Sequence, residues 1–173
     1  MHYIRNNLAV CGFHGIGSRD DFELHGFRVQ LQCAEPFDPW LSECVEVMAA
    51  PFSDGAPIPS VLFHKAQNWL AKNWDSGGKI LISCAAGRSR SVTMAIALIS
   101  RNTRLKFVDA VYEAIARVPG AYPHPYVLAS AAFFCGQPFQ VEELQTVYAS
   151  VEEQPPYPWS IELVREAAEQ VYS

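Results

Sequence analysis

Cys84 and Arg90 stand six positions apart in the run Cys84-Ala85-Ala86-Gly87-Arg88-Ser89-Arg90-Ser91. An ionised thiol is a nucleophile, and a guanidinium presents a planar fork that matches two oxygens of a phosphate. The small residues Ala85, Ala86 and Gly87 let a backbone close tightly around an anion, and Gly87 adopts dihedral angles barred to side chains. Successive N–H groups from Ala85 through Arg90, with Arg88 and Ser89 between, can then aim at one phosphate. The chemistry this predicts is attack by the Cys84 sulfur on a phosphorus atom held by the loop and clamped by Arg90. A Cys–Arg pair at this offset is a weak signal alone, so the surrounding sequence has to decide. None of Cys11, Cys33, Cys44 and Cys135 has an arginine at the same offset.

The flanking elements suit that task. Lys79-Ile80-Leu81-Ile82 is a short, continuous apolar run, the mark of a strand buried on both faces. Ser91–Ile99 reads as a helix, so the loop passes from strand to helix and gains the positive potential of a helix N-terminus. Upstream, Leu8–Gly12, Arg28–Cys33 and Glu43–Met48 read as strands. Ser18 is placed to cap a short helix over Arg19–His25. Ala49–Pro59 is a Pro/Gly-rich loop. The spacing of Leu62, Ala66, Trp69 and Leu70 predicts a helix that ends near Asp75-Ser76-Gly77-Gly78. Phe107–Val118 reads as a further helix. Strands alternating with helices predict an α/β domain whose central, mostly parallel sheet of four or five strands is flanked by helices.

The whole chain bounds the options. Its 173 residues fit one compact domain with an appendage, and 50 % hydrophobic content supplies a sizeable core. A net charge of −5 argues against a general nucleic-acid binder. Much of the acidity lies in residues 137–173, with seven Glu against one Arg. The expected division is therefore a catalytic domain over 1–136 and an acidic helical extension over 137–173, with helices at Val141–Val151 and Ile161–Tyr172. The odd, scattered cysteines form no CxxC pair, so neither a zinc ribbon nor a thioredoxin-type motif is on offer, and His14, His64 and His124 lack metal-ligand spacing with one another. The absence of a secretory stretch or of about 20 consecutive apolar residues leads to the expectation of a cytoplasmic protein. Trp40, Tyr122 and Tyr126 read as pocket wall or as core.

The segment Ile82-Ser83-Cys84-Ala85-Ala86-Gly87-Arg88-Ser89-Arg90-Ser91 resembles the phosphate-binding loop of the dual-specificity branch of the protein tyrosine phosphatases. The resemblance extends upstream to Pro51-Phe52-Ser53-Asp54-Gly55 and Gly78–Ile82. Downstream it extends to Ala110, Arg117 and Ala121-Tyr122-Pro123 followed by an apolar helix. It covers about residues 3–135.

The resemblance implies a tyrosine-phosphatase-like fold, no metal or organic cofactor, and four catalytic residues. Cys84 forms a thiophosphate intermediate, Arg90 stabilises the transferring phosphoryl group, Asp54 serves as acid and then base, and Ser91 donates to the departing sulfur. It implies phosphorylated protein as substrate, phosphotyrosine first and phosphoserine or phosphothreonine second. Arg88 at the pocket mouth would favour extra negative charge, as on a phosphoinositide or an RNA 5′-end. Asp38 and Asp75 compete with Asp54 for the acid role. The family usually has His before the nucleophile where this chain has Ser83, which implies a shifted acidic limb in the pH profile.

Two other functions compete. A catalytically weak phosphate-reading module is favoured by Ser83 and opposed by Cys84, Arg90, Ser91 and Asp54 together. A rhodanese-like sulfurtransferase would also place a cysteine loop after a strand, but with one residue fewer before the arginine and no need of an upstream aspartate.

Overall fold

The computed structural model describes residues 1–15, 19–35, 43, 45–152 and 157–173. Five strands form one sheet: β1 (His2–Arg5), β2 (Leu8–Cys11), β3 (Phe27–Gln32), β4 (Glu46–Ala49) and β5 (Lys79–Ser83). Their order is β1-β2-β5-β3-β4; β1 pairs antiparallel with β2, and all other pairings are parallel. Strand β1 was not anticipated, because His2-Tyr3-Ile4-Arg5 has a single fully buried residue, Ile4, and so carries little apolar pattern. Strand β4 begins three residues later than its sequence pattern suggests. Ser18, Asp38, Trp40 and Cys44 lie outside the described residues.

Side chains alternate across the sheet as the two-residue period requires. Leu8, Val10, Leu31, Ile80 and Ile82 enter the main core, while Ala9, Cys11 and Leu81 enter a smaller one with Phe22, joined by Phe27, which an irregularity in register between Phe27 and Val29 turns to that face. Phe22 belongs to α1 (Arg19–His25), which covers that smaller face. The large face is covered by α2 (Ser60–Asp75), α3 (Arg90–Asn102) and α4 (Phe107–Arg117), with α5 (Pro125–Phe134) packed on α2 and α3. In α3 every residue from Ser91 to Ser100 is buried, so this helix runs through the middle of the core. Beyond it, α6 (Val141–Ala149) packs on α4 and α7 (Ile161–Tyr172) packs on α5.

Strand β5 is central and has β2 on one side and β3 on the other, with Cys11 and Gln32 both in register with Ser83. Parallel pairing therefore brings the carboxyl ends of β2, β3 and β5 to one edge of the sheet. That crevice is where α/β sheets gather their ligands.

Candidate functional site

Cys84 leaves the end of β5 with its N–H donating to the Cys11 carbonyl at 3.2 Å. The loop then folds against the end of β2: the Phe13 N–H donates to the Ala85 carbonyl at 3.2 Å, and Gly12 bridges Ala86. Gly87 has φ +74, and a Cβ there would lie 2.4 Å from the Gly12 nitrogen. At Gly12 an added Cβ would lie 2.9 Å from the Ala85 oxygen. Two backbones thus meet with no room for side chains between them, and this contact sets the curvature of the loop.

That curvature aims donors at the sulfur. Cys84 is 2 % exposed, the Gly87 N–H points to its Sγ at 3.3 Å, and the Ser91 Oγ lies 3.2 Å away. Two of the cysteines nearby are held as thiols: burial pushes Cys11 up to about 12 and raises Cys33 well above the ordinary thiol value.

Arg90 opens α3, and its Nη1 donates to the Phe52 carbonyl at 3.1 Å and to the Cys33 carbonyl at 3.4 Å. Its Nε is buried without a hydrogen-bond partner among the described residues, 4.0 Å from Asp54 Oδ1. One edge of the guanidinium is therefore tied to the scaffold, and its Nε faces the Asp54 carboxylate beyond hydrogen-bond distance.

Asp54 reaches this place on the loop after β4. Phe52 and Ile58 are buried, and the Ile58 N–H donates to Ser130 Oγ at 3.1 Å, so the loop is pinned on both sides of an arch. Asp54 sits on that arch with its side chain 43 % exposed. Its rival Asp75 ends α2 ahead of β5, whose five residues separate it from the Cys84 end. At about 3.3 Å per residue that is roughly 16 Å, so the topology keeps Asp75 away from the sulfur.

Ser89 occupies the N-cap position of α3, yet its hydroxyl does not cap the helix. It donates to Asp54 and accepts from the His124 N–H at 2.9 Å. Burial lowers the pKa of His124 from its ordinary value, with the Asp54 charge opposing the shift. Arg88 is exposed; its carbonyl accepts from the Tyr122 N–H at 2.9 Å, and its guanidinium lies 5.9 Å from the Tyr122 ring centroid. Together with Met1, His2, Cys11, Gly12 and Gly15, residues 85–88 line a cleft of about 280 Å³.

The structure thus brings together Cys84, Ala85, Ala86, Gly87, Arg88, Ser89, Arg90, Ser91 and Asp54. Sequence reasoning missed Gly12 and His124. No spacing rule could have found them, because they lie far from the loop in sequence and reach it only through the fold. Ser83, at the position before the nucleophile, is buried and accepts from Gln30 Nε2 at 2.9 Å. Among the described residues no group of three or more His, Cys, Asp or Glu is placed to hold a metal ion, and no helix is long and apolar enough to cross a membrane.

A parallel-centred sheet with a Cys–Arg loop at its carboxyl edge is the architecture of the protein tyrosine phosphatases, and the resemblance to their dual-specificity branch holds in sequence and in fold. The chain is 28 % identical over 102 residues to dual specificity protein phosphatase 1B of Arabidopsis thaliana, a match spanning 58 % of this chain and 59 % of that protein. The match thus takes in less than two thirds of the curated relative. Human DUSP28 superposes with a TM-score of 0.68 at 16 % identity, covering 86 % of this chain and 99 % of that one. PTPMT1 superposes with a TM-score of 0.67 at 20 % identity, covering 78 % and 93 %; it has also been solved in complex with PI(5)P. No protein-family model matches the chain.

Proposed function

We propose that this protein is a cysteine-dependent phosphatase that hydrolyses phosphate monoesters, with phosphorylated protein as its substrate. The observation that supports it best is the convergence on Cys84 Sγ of the Gly87 N–H and the Ser91 hydroxyl, with the Arg90 guanidinium and the carboxyl of Asp54 facing each other at the arch of the Asp54 loop.

In the first step the Cys84 thiolate attacks phosphorus, an S–P bond forms, and the ester P–O bond breaks. Asp54, protonated, gives its proton to the leaving oxygen. The loop N–H groups of Ala85 to Arg90 and the Arg90 guanidinium hold the equatorial oxygens as charge redistributes. In the second step water attacks phosphorus, Asp54 takes its proton, and the S–P bond breaks. The Ser91 hydroxyl, 3.2 Å from the sulfur, donates to the departing thiolate.

Arg88 favours a second substrate class. An exposed guanidinium held against Tyr122 at the rim of the phosphate loop suits a substrate with additional negative charge, and the related PTPMT1 was solved with PI(5)P. A phosphoinositide is therefore the substrate to test after a phosphopeptide. The reducing cytoplasm is the compartment in which a free nucleophilic thiol persists, and we infer it as the location.

The test is p-nitrophenyl phosphate hydrolysis by the wild type, Cys84→Ser and Asp54→Asn, from about pH 5 to pH 8, the range around the reference values of the groups concerned. Turnover that resists EDTA, vanishes in Cys84→Ser and loses its basic limb in Asp54→Asn is the expected result. A wild type that binds vanadate or a phosphopeptide without turning over would instead make the protein a phosphate-reading relative.

A further inference from the structure

Among the described residues, 137–173 make no hydrogen bond to the phosphate loop itself, yet their aromatic side chains pack on the segment that supports its outer side. Tyr157 Oη donates to the Pro123 carbonyl at 2.8 Å, and Tyr148 Oη to the Ala121 carbonyl at 3.4 Å. The two phenol rings lie 4.3 Å apart. Trp159 meets the His124 ring edge-on, with centroids 4.5 Å apart. The far side of that segment faces the site: the His124 N–H donates to Ser89 Oγ, which donates to Asp54.

The order of donors along this path is fixed by chemistry. A backbone amide can only donate, so it occupies a lone pair of the Ser89 hydroxyl and leaves that hydroxyl's single proton for Asp54. An aspartate on an arched, half-exposed loop otherwise samples several rotamers. Tied to Ser89, its carboxyl is held beside the Arg90 guanidinium.

We propose that Tyr157 and Trp159 are positioning residues for the acid–base step. They fix residues 121–124, the His124 amide orients the Ser89 hydroxyl, and Ser89 fixes the Asp54 carboxyl. The inference rests on the phosphatase reading above and extends it to a part of the chain outside the family resemblance. It gives the acidic tail a role in catalysis without any contact to substrate.

A loosened Asp54 has a distinctive kinetic consequence. p-Nitrophenolate is a good leaving group and depends on the Asp54 proton far less than phenolate does. In Tyr157→Phe and Trp159→Leu, kcat/KM for phenyl phosphate, which reports the first step alone, should fall about tenfold, part of the roughly 10²–10⁴ available to general acid catalysis. kcat/KM for p-nitrophenyl phosphate should stay within about twofold, and inhibition by vanadate should not change. Trp159→Phe, which keeps an aromatic ring against His124, should recover most of the phenyl phosphate activity. Tyr126→Phe removes a bond from Tyr126 to Glu166 of α7, 2.7 Å in the wild type, and serves as the control for general loosening of the tail.

An equal fall on both aryl phosphates, matched by Tyr126→Phe, would overturn the proposal and leave the tail a plain stabiliser. If Trp159→Leu does not fold, Tyr157→Phe decides, since it removes one hydroxyl only. If the wild type shows no Cys84-dependent turnover, the phosphatase reading fails separately. The positioning is then read from the carboxyl-carbon signal of Asp54 in ¹³C-labelled Tyr157→Phe. A displaced signal supports it, and an unmoved one overturns it.

Discussion

Gly87 carries the tightest backbone contact of the site. Its positive φ costs a residue with a side chain about 1–2 kcal/mol, and the clash with the Gly12 nitrogen adds to that. Gly87→Ala should therefore lower the urea midpoint and abolish vanadate binding, because the loop must open to admit a methyl group. Retained vanadate affinity in a folded Gly87→Ala protein would show that the loop does not depend on this close approach. Ser83 matters in a different way. Where the resembling family usually has His, this chain buries a Gln30–Ser83 pair directly beneath the nucleophile. Gln30 belongs to β3, whose parallel pairing with β5 carries it to this place. Neither residue announces the other in sequence, since they are linked only by strand register.

At the scale of elements, the connection between α4 and α5 deserves the same weight as the phosphate loop. Its residues 121–124 touch Ser89 and Arg88 on one side and Tyr148, Tyr157 and Trp159 on the other. Burial lowers the pKa of His124, and of His2 as well, where the N-terminal amine and Arg88 reinforce the effect. A histidine with a depressed folded-state pKa binds its proton more readily when unfolded, so its contribution to stability is complete above the unfolded pKa and is lost as pH falls. The thermal midpoint should thus decline from about pH 6.5 to about pH 5.5, and His124→Gln should flatten that decline. A midpoint that stays level in the wild type over this range would refute the sign.

The molecule as a whole does not end at residue 136. Phe139, Leu144, Tyr148, Val164 and Ala167 are buried against the preceding helices. Burying one large apolar side chain contributes about 1.5–3 kcal/mol, and a domain's net stability is about 5–15 kcal/mol. We propose that residues 137–173 are integral to the fold, although the sequence suggests an appendage. A chain cut after Gly136 should lose its cooperative thermal transition and aggregate. A monomeric 1–136 fragment with a sharp transition would restore the view of a separable extension.

The sequence by itself determined much of this protein. The apolar run Lys79–Ile82, the small residues after Cys84 and the apolar α3 specified strand, loop and helix, because periodicity and residue size act locally. The α/β class and the Cys84–Arg90 pairing followed from that local order, and the family resemblance supplied Asp54. Tertiary structure decided what joins distant segments. It introduced β1, which pairs through its backbone and carries almost no apolar signal. It seated Gly12 against Gly87, put Gln30 under Ser83, and diverted the Ser89 hydroxyl from helix capping to Asp54 and His124. It also turned an acidic tail into a wall behind the site. Contacts of this kind depend on strand order and helix packing over many residues, and no local pattern encodes them.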